Sequence, residues 1–156
     1  MKPLAFVVCC LIVGFTFSQH SAGLSASVNR FDVFTRFNYT YSLDNSFDIG
    51  GYSGLGSISL FTTGVPVVEF GSNVGYRLKI LENLGVAPTY FFNFLQQKVE
   101  ENRDLYFEHQ IGYVLTWGDR ICLFQSTGVG WGKFQNQSVS SNYVAVTVNL
   151  GLRYAW

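Results

Sequence analysis

Ser141 to Trp156 reads SNYVAVTVNLGLRYAW. From Val144 onward every even position is apolar or aromatic: Val144, Val146, Val148, Leu150, Leu152, Tyr154 and Trp156. Between them stand Ala145, Thr147, Asn149, Gly151, Arg153 and Ala155, all small or polar. A β-strand turns successive side chains to opposite faces, so this pattern predicts one long strand with an apolar face and a polar one.

Alternation alone leaves open which face is outside. A soluble barrel turns its apolar face inward and covers itself with charge, whereas a membrane barrel does the reverse. Composition chooses between them. Charged residues make up 13% of the 156-residue chain and aromatics 17%, against about 25% charged residues in soluble domains. The polar faces carry Gly, Ser, Thr and Asn more than Lys or Glu. Such faces suit a narrow polar lumen better than a soluble exterior, so the apolar face is expected outside.

The first residues, MKPLAFVVCCLIVGFTFSQH, join Lys2 to an apolar run from Leu4 to Phe17, with small residues at Thr16 and Ser18. This predicts a cleavable secretory signal over 1–18 and a mature domain over 19–156. The run is shorter than the roughly 20 residues of a spanning helix. Cys9 and Cys10 follow Val7 and Val8 rather than small residues, against a lipoprotein site. Cleavage leaves Cys122 alone, which excludes an internal disulfide and a cysteine-built zinc site. The formal net charge is zero, and no basic stripe points to nucleic acid. Beyond the signal no apolar run reaches helix-spanning length, so a membrane form must be a closed barrel whose backbone groups are all paired.

Three short breaks set the strand rhythm: Leu43-Asp44-Asn45-Ser46-Phe47, Ile80-Leu81-Glu82-Asn83-Leu84 and Trp117-Gly118-Asp119-Arg120-Ile121. Each holds turn-forming residues between two apolar ones. Strands are expected between them, over Phe31 to Leu43, Phe47 to Phe61, Val68 to Ile80, Leu84 to Phe94, Leu105 to Trp117 and Ile121 to Phe134. Gly50, Gly51, Gly54 and Gly56 interrupt the second of these, whose apolar set changes face near Tyr52, so a bulge is expected there. Pro88 lacks an amide donor, so a second bulge is expected there. Outer connections fall around Thr62 to Pro66, Leu95 to Asp104 and Gln135 to Asn142.

The closing strand, its final aromatic and the rhythm of short turns resemble the small eight-stranded bacterial outer-membrane β-barrels, the OmpA transmembrane and OmpX type. The resemblance is a pattern over nearly all the mature chain, without a diagnostic motif. It implies an all-β, antiparallel up-and-down transmembrane barrel in the outer membrane, with the short turns on the periplasmic side. An even strand number then requires a first strand from about His20 to Val28, with Leu24, Ala26 and Val28 facing lipid and Asn29-Arg30 as the turn. Tyr154 and Trp156 are expected to serve as the assembly signal. The partners implied are outer-membrane lipid and the barrel-assembly machinery, for a monomer that binds no nucleic acid.

For chemistry, His109 is the sharpest candidate, because some barrels of this size are lipid A acyl hydrolases or acyltransferases using His and Ser. Phe107-Glu108-His109-Gln110-Ile111 lacks the deacylase His-x-Ser spacing, and Ser126 is predicted on the opposite face, out of reach for a nucleophile and its base. An interfacial histidine packed among its neighbours is the plainer reading. Arg36, Glu69, Arg77, Lys79, Glu108 and Arg153 all carry lumen parity. Cations interleaved with acids predict a structural charge network, with Arg36 facing Glu69 or Glu108 and Asp48 offsetting the cations near the short turns, rather than a carboxylate pair for acid–base catalysis. Gly128-Val129-Gly130-Trp131-Gly132 lacks the Lys-Ser/Thr end of a phosphate loop and a following helix. The sequons at Asn38 and Asn136 matter only in a eukaryotic route. No catalytic residue, cofactor or metal is assigned. The expected role is non-enzymatic, in envelope integrity or surface interaction; lipid A modification is the alternative.

Overall fold

A computed structural model describes residues 19–43, 46–56, 66–99, 102–136 and 138–156. The predicted signal (1–18), the centre of the first turn (44–45), the far end of the second expected strand (57–61) and most of the first outer loop (62–65) lie outside these residues. The described chain forms β1 (Gln19–Asn29), β2 (Val33–Leu43), β3 (Phe47–Gly56), β4 (Val68–Tyr76), β5 (Leu78–Leu81), β6 (Leu84–Val99), β7 (Asn102–Trp117), β8 (Ile121–Gln135) and β9 (Ser140–Ala155). Sequence neighbours other than β4 and β5 pair antiparallel, β1 pairs with β9, and β4 pairs with β6. The sheet therefore closes on itself. Because β4 and β5 are one crossing interrupted at Arg77, it is an eight-stranded antiparallel barrel.

Pro88 explains the interruption. Gly75 pairs with Thr89 and Leu78 with Val86, the same register on either side, which sets Tyr76 and Arg77 opposite Pro88 and Ala87. A proline has no N–H to give the neighbouring strand, so the ladder lapses there without shifting. The Arg77 amide donates instead to the Ser46 carbonyl. On its other side Pro88 stays in register with Tyr113. The bulge expected at Pro88 is therefore absent: the proline leaves a gap in one ladder, and the register shift lies nearby, between Lys79 and Leu81.

The bulge expected near Tyr52 is absent. β3 pairs in unbroken register with β2 and β4, and its burial alternates from Phe47 to Gly56. Phe47, Ile49 and Leu55 are exposed and Tyr52 is buried. Tyr52 did not change face; it is an aromatic residue on the lumen face. Other boundaries move as well. β2 begins at Val33, because Asn29 Oδ1 accepts from the Phe31 and Asp32 amides and holds a turn over residues 29–32. β6 and β7 run on as a paired ladder to Val99 and Asn102, through most of the expected Leu95 to Asp104 loop. The last outer connection shrinks to a turn fixed by Asn136 Oδ1, which accepts from the Ser138 and Val139 amides.

The barrel is inverted relative to a soluble protein. On β9, Val144, Val146, Val148, Leu150, Leu152 and Tyr154 are exposed while Ala145, Thr147 and Asn149 are buried. Around the wall Leu24 and Ile111 are each 63% exposed, whereas Ser25, Arg36, Glu69, Asn93, Glu108 and Gln110 are buried. In water that arrangement would forgo the hydrophobic driving force. Against hydrocarbon it is the stable one, since the outward face is mostly apolar and the ladders pair most of the backbone within the wall. Among the described residues no helix is long and apolar enough to cross a membrane.

Candidate functional site

The interior of the barrel is the chemically distinctive part, and it is layered. One end of the barrel carries the short turns between β2 and β3, β5 and β6, and β7 and β8; it is called the turn end here, and the other the loop end. At the turn end Gly118 adopts φ +114°, a left-handed conformation that glycine tolerates and a side chain resists.

Toward the loop end, Phe34, Val67 and Leu95 form a buried apolar cluster against which Phe31 and Tyr106 pack. Phe31 also meets the Tyr143 ring edge-on, with centroids 5.2 Å apart. The Tyr143 ring faces inward.

Below lies a continuous polar web. Arg36 Nε donates to Glu69 Oε2 at 2.7 Å and its Nη2 to Glu69 Oε1 at 2.5 Å, a two-point ion pair between side chains 3% and 0% exposed. The Arg36 guanidinium also sits over the Tyr52 ring, 4.5 Å from its centroid. The Tyr52 hydroxyl donates to Asn93 Oδ1. Asn93 Nδ2 and Gln110 Nε2 both donate to Glu108 Oε2 at 2.9 Å, and the Tyr143 hydroxyl donates to Oε1 at 3.0 Å. Gln110 Nε2 reaches on to Thr147 Oγ1 at 2.9 Å. The web thus links β2, β4, β3, β6, β7 and β9 across the bore. Glu108 is held by three neutral donors and meets no cation within 4 Å among the described residues.

Two glycines make room for the tyrosines of this web. A Cβ on Gly71 would stand 2.2 Å from the Tyr52 ring, and one on Gly132 would stand 2.2 Å from the Tyr143 ring. Glycine is required at these points of close approach.

At the turn end the charges regroup. Arg77 Nη2 donates to Asp48 Oδ1 at 2.5 Å and to Ser42 Oγ at 2.7 Å, and its Nε donates to Asp48 Oδ2 at 3.1 Å. Arg153 Nη2 donates to Thr116 Oγ1 at 2.8 Å, and its guanidinium lies over Phe124. Lys79 stands apart, exposed on β5. Of the six lumen-parity charges, then, Arg36 and Glu69 meet directly and Glu108 joins them through Tyr52 and Asn93. Arg77 and Arg153 share the turn end, and Lys79 is at the rim.

Two cavities accompany these layers. A small one of about 40 Å³, bordered by Arg36, Tyr52, Thr89, Asn149 and Arg153, lies beneath the web. A larger one of about 770 Å³ occupies the turn end, bordered by Arg77, Lys79, Arg120, Thr116, Cys122 and Arg153. Arg153 borders both.

On the outer wall, His109 Nδ1 meets the Tyr90 hydroxyl, and its ring stacks on Trp131 with centroids 5.8 Å apart and packs against Phe92. Ser126 is buried on the lumen face, so the fold does not bring it to His109. Gly128 to Gly132 lie within β8 rather than in a loop. No cluster of three or more metal-ligating side chains occurs among the described residues. At the turn end Tyr154 and Trp156 stack on one another, and Trp156 stacks on His20.

Tyr52, Asn93, Gln110, Tyr143 and Thr147 complete the web, though none carries charge. Strict parity was the available signal. Counting in twos from Phe47 puts Tyr52 inward, and counting from Arg153 does the same for Tyr143 and Thr147.

No protein-family profile matches the sequence, and no curated protein matches it by sequence. Solved structures do match the fold. The N-terminal β-barrel domain of Pseudomonas aeruginosa OprF superposes with a TM-score of 0.63 at 10% identity, over 88% of this chain and 97% of that one. A major outer membrane protein from Thermus thermophilus gives 0.57 at 11% identity, over 89% and 99%. Neisserial surface protein A gives 0.50 at 8% identity, over 88% and 94%. At such identities the likeness is one of fold: this chain has the closed eight-stranded antiparallel barrel that these outer-membrane proteins share.

Proposed function

We propose that the chain is a non-enzymatic barrel of the bacterial outer membrane, contributing to envelope integrity or surface interaction through its wall and rims rather than by passing solutes. The observation that carries this reading is the filled bore: the cluster of Phe34, Val67 and Leu95 stacked on the web from Arg36 to Thr147. Eight strands leave an interior about wide enough for side chains to fill, and above the turn-end cavity the cluster and the web occupy it. Its immediate partners are then outer-membrane lipid and, during biogenesis, the barrel-assembly machinery, with the protein acting as a monomer.

Lipid A modification is the rival reading, and His109 its best residue. A hydrolase of that kind needs a nucleophile within hydrogen-bond reach of the histidine. The groups against His109 are Tyr90, Phe92 and Trp131, which supports a packing role instead.

Mass-spectrometric lipid A profiles from cells with and without the protein test the choice. Identical acylation is the expected result. Loss or gain of an acyl chain that depends on the protein and disappears in His109→Asn would overturn it. Planar-bilayer recordings test the filled bore separately: no steady, large conductance is expected from the unmodified protein.

A further inference from the structure

The turn-end cavity carries an excess of cations, opposite in sign to the web above it, where Glu108 meets neutral donors only. Two guanidiniums, Arg77 and Arg153, border the same space of about 770 Å³. Asp48, the acid of this layer, already uses both oxygens, Oδ1 accepting from Arg77 and Ser42 and Oδ2 from Arg77. Arg153 has no carboxylate within 4 Å among the described residues. Its side-chain polar partners are the neutral Thr116 hydroxyl and the Cys122 thiol, with the Phe124 ring beneath it. Lys79 and Arg120 add two more cations to the border, against Glu82 and Asp119 in the turns.

A guanidinium carries five N–H donors in a flat fork, shaped to grip two oxygens of one anion. Leaving its charge uncompensated inside a barrel is costly. Arg36 avoids that cost with Glu69; Arg153 has no equivalent acid, and a cavity stands where one would be. The cavity faces the turns, so a ligand enters from that end without crossing the web.

We propose that the turn-end vestibule is a binding site for a small oxyanion, held by Arg153 with Arg77 beside it. Thr116 orients Arg153, and Phe124 supports its flat face. Chloride, lacking paired oxygens, forgoes the bidentate contact and binds more weakly. The site is independent of whether the wall or rims serve a structural or an enzymatic role.

The test uses the refolded protein in detergent micelles, titrated with inorganic phosphate at constant ionic strength and followed by amide NMR. Saturable shifts at Thr116, Cys122 and Arg153 are expected, with amides of the loop-end cluster unmoved. Chloride should leave those three signals in place. Acetate serves as a second arm: tighter binding than phosphate would identify a carboxylate as the preferred oxyanion. Arg153→Gln, checked for folding by heat-modifiable migration, should weaken the apparent affinity by roughly tenfold or more, as loss of a bidentate charged contact implies. Asp48→Asn, which releases Arg77, should strengthen it. If Arg153→Gln does not fold, the unmodified protein's shift map still decides. Shifts that never saturate, that chloride reproduces, or that scatter over the outer wall would overturn the proposal.

Discussion

Arg36 and Glu69 meet as a fork on a carboxylate, at 2.7 and 2.5 Å, between β2 and β4, with almost none of either side chain exposed. These strands are not neighbours; β3 lies between them, and Gly54 is what lets the pair close over it. A Cβ at Gly54 would lie 3.0 Å from Arg36 Cγ and 3.2 Å from Glu69 Oε2. The ion pair and the glycine are therefore one feature of the bore.

Removing one partner of a buried pair leaves a bare charge in the interior, which typically costs about 3–5 kcal/mol. Arg36→Ala should lower unfolding stability by that order, measured by denaturant titration in lipid vesicles. Arg103→Ala, at an exposed residue with no ion pair within 4 Å among the described residues, should change it by about 0.5 kcal/mol or less. Removing both charges, as in Arg36→Met with Glu69→Leu, should cost less than Arg36→Ala alone. Equal stabilities for the two alanine variants would mean that the buried pair is not held as described.

Tyr143→Phe isolates one donor to Glu108. Its hydroxyl gives a single bond of 3.0 Å to Oε1, while Asn93 and Gln110 hold Oε2. The carboxylate thus loses one of three donors, a loss of about 1.5–3 kcal/mol for a bond to a charged group. Gly132→Ala attacks the same tyrosine sterically, through the 2.2 Å approach to its ring. Overpacking of this kind costs about 1–3 kcal/mol. Since both changes act on Tyr143, the double variant should fall short of the sum. Strict additivity in the denaturation midpoints would argue that Gly132 and Tyr143 are not in contact.

How far these features could be read beforehand differs by residue. Alternation around Val144 to Tyr154 and the three short turns carry the wall, because parity in a strand is a local property of the chain. Parity also puts Arg36, Glu69, Glu108 and Arg153 on the inner face. It cannot choose partners. That Arg36 takes Glu69 while Glu108 takes three neutral donors depends on how the closed sheet staggers distant strands, and single-strand patterns do not encode the stagger. Tyr52 was misjudged for a different reason. An aromatic residue among glycines looks like a change of face, when it is a lumen residue covering Gly71. Pro88 announced a disturbance, but whether the ladder would shift or merely lapse was decided by β4 and β5, on the far side of the pairing.

Trp156 should matter for closure. Its amide donates to the His20 carbonyl at 2.9 Å and the His20 amide donates to its carbonyl at 3.1 Å, which completes the β1–β9 seam at the turn end. Its ring stacks on both His20 and Tyr154. We expect deletion of Trp156 to remove two backbone bonds and the stack, reducing recovery of folded protein. Trp156→Ser, which keeps the backbone, should do less harm to the folded barrel yet still impair assembly if Tyr154 and Trp156 act as the recognised signal. Heat-modifiable migration and membrane recovery are the readouts. Normal values for both variants would remove Trp156 from any assembly role.

The last prediction concerns depth. Trp117 ends β7 at the turn end, paired with Leu84 and Leu123. Trp131 lies far up β8, between His109 and Val144. Both rings face outward and are about equally exposed, at 62% and 59%. The eight residues from Leu123, the partner of Trp117, to Trp131, at about 3.3 Å each on a strand tilted by about 40°, carry the second ring roughly 20 Å toward the loop end. That rise approaches the height of about 25 Å of the apolar band on such barrels, so the two indoles belong near opposite interfaces, where an amphipathic ring is most stable. Single-tryptophan variants retaining only Trp117 or only Trp131, reconstituted in vesicles with brominated lipids, should each be quenched most by bromines near the headgroups. A quencher confined to one leaflet should distinguish them. Strongest quenching of both by bromines at the chain ends would put the rings at the bilayer centre, and the wall would then have to cross the membrane at a different height or tilt.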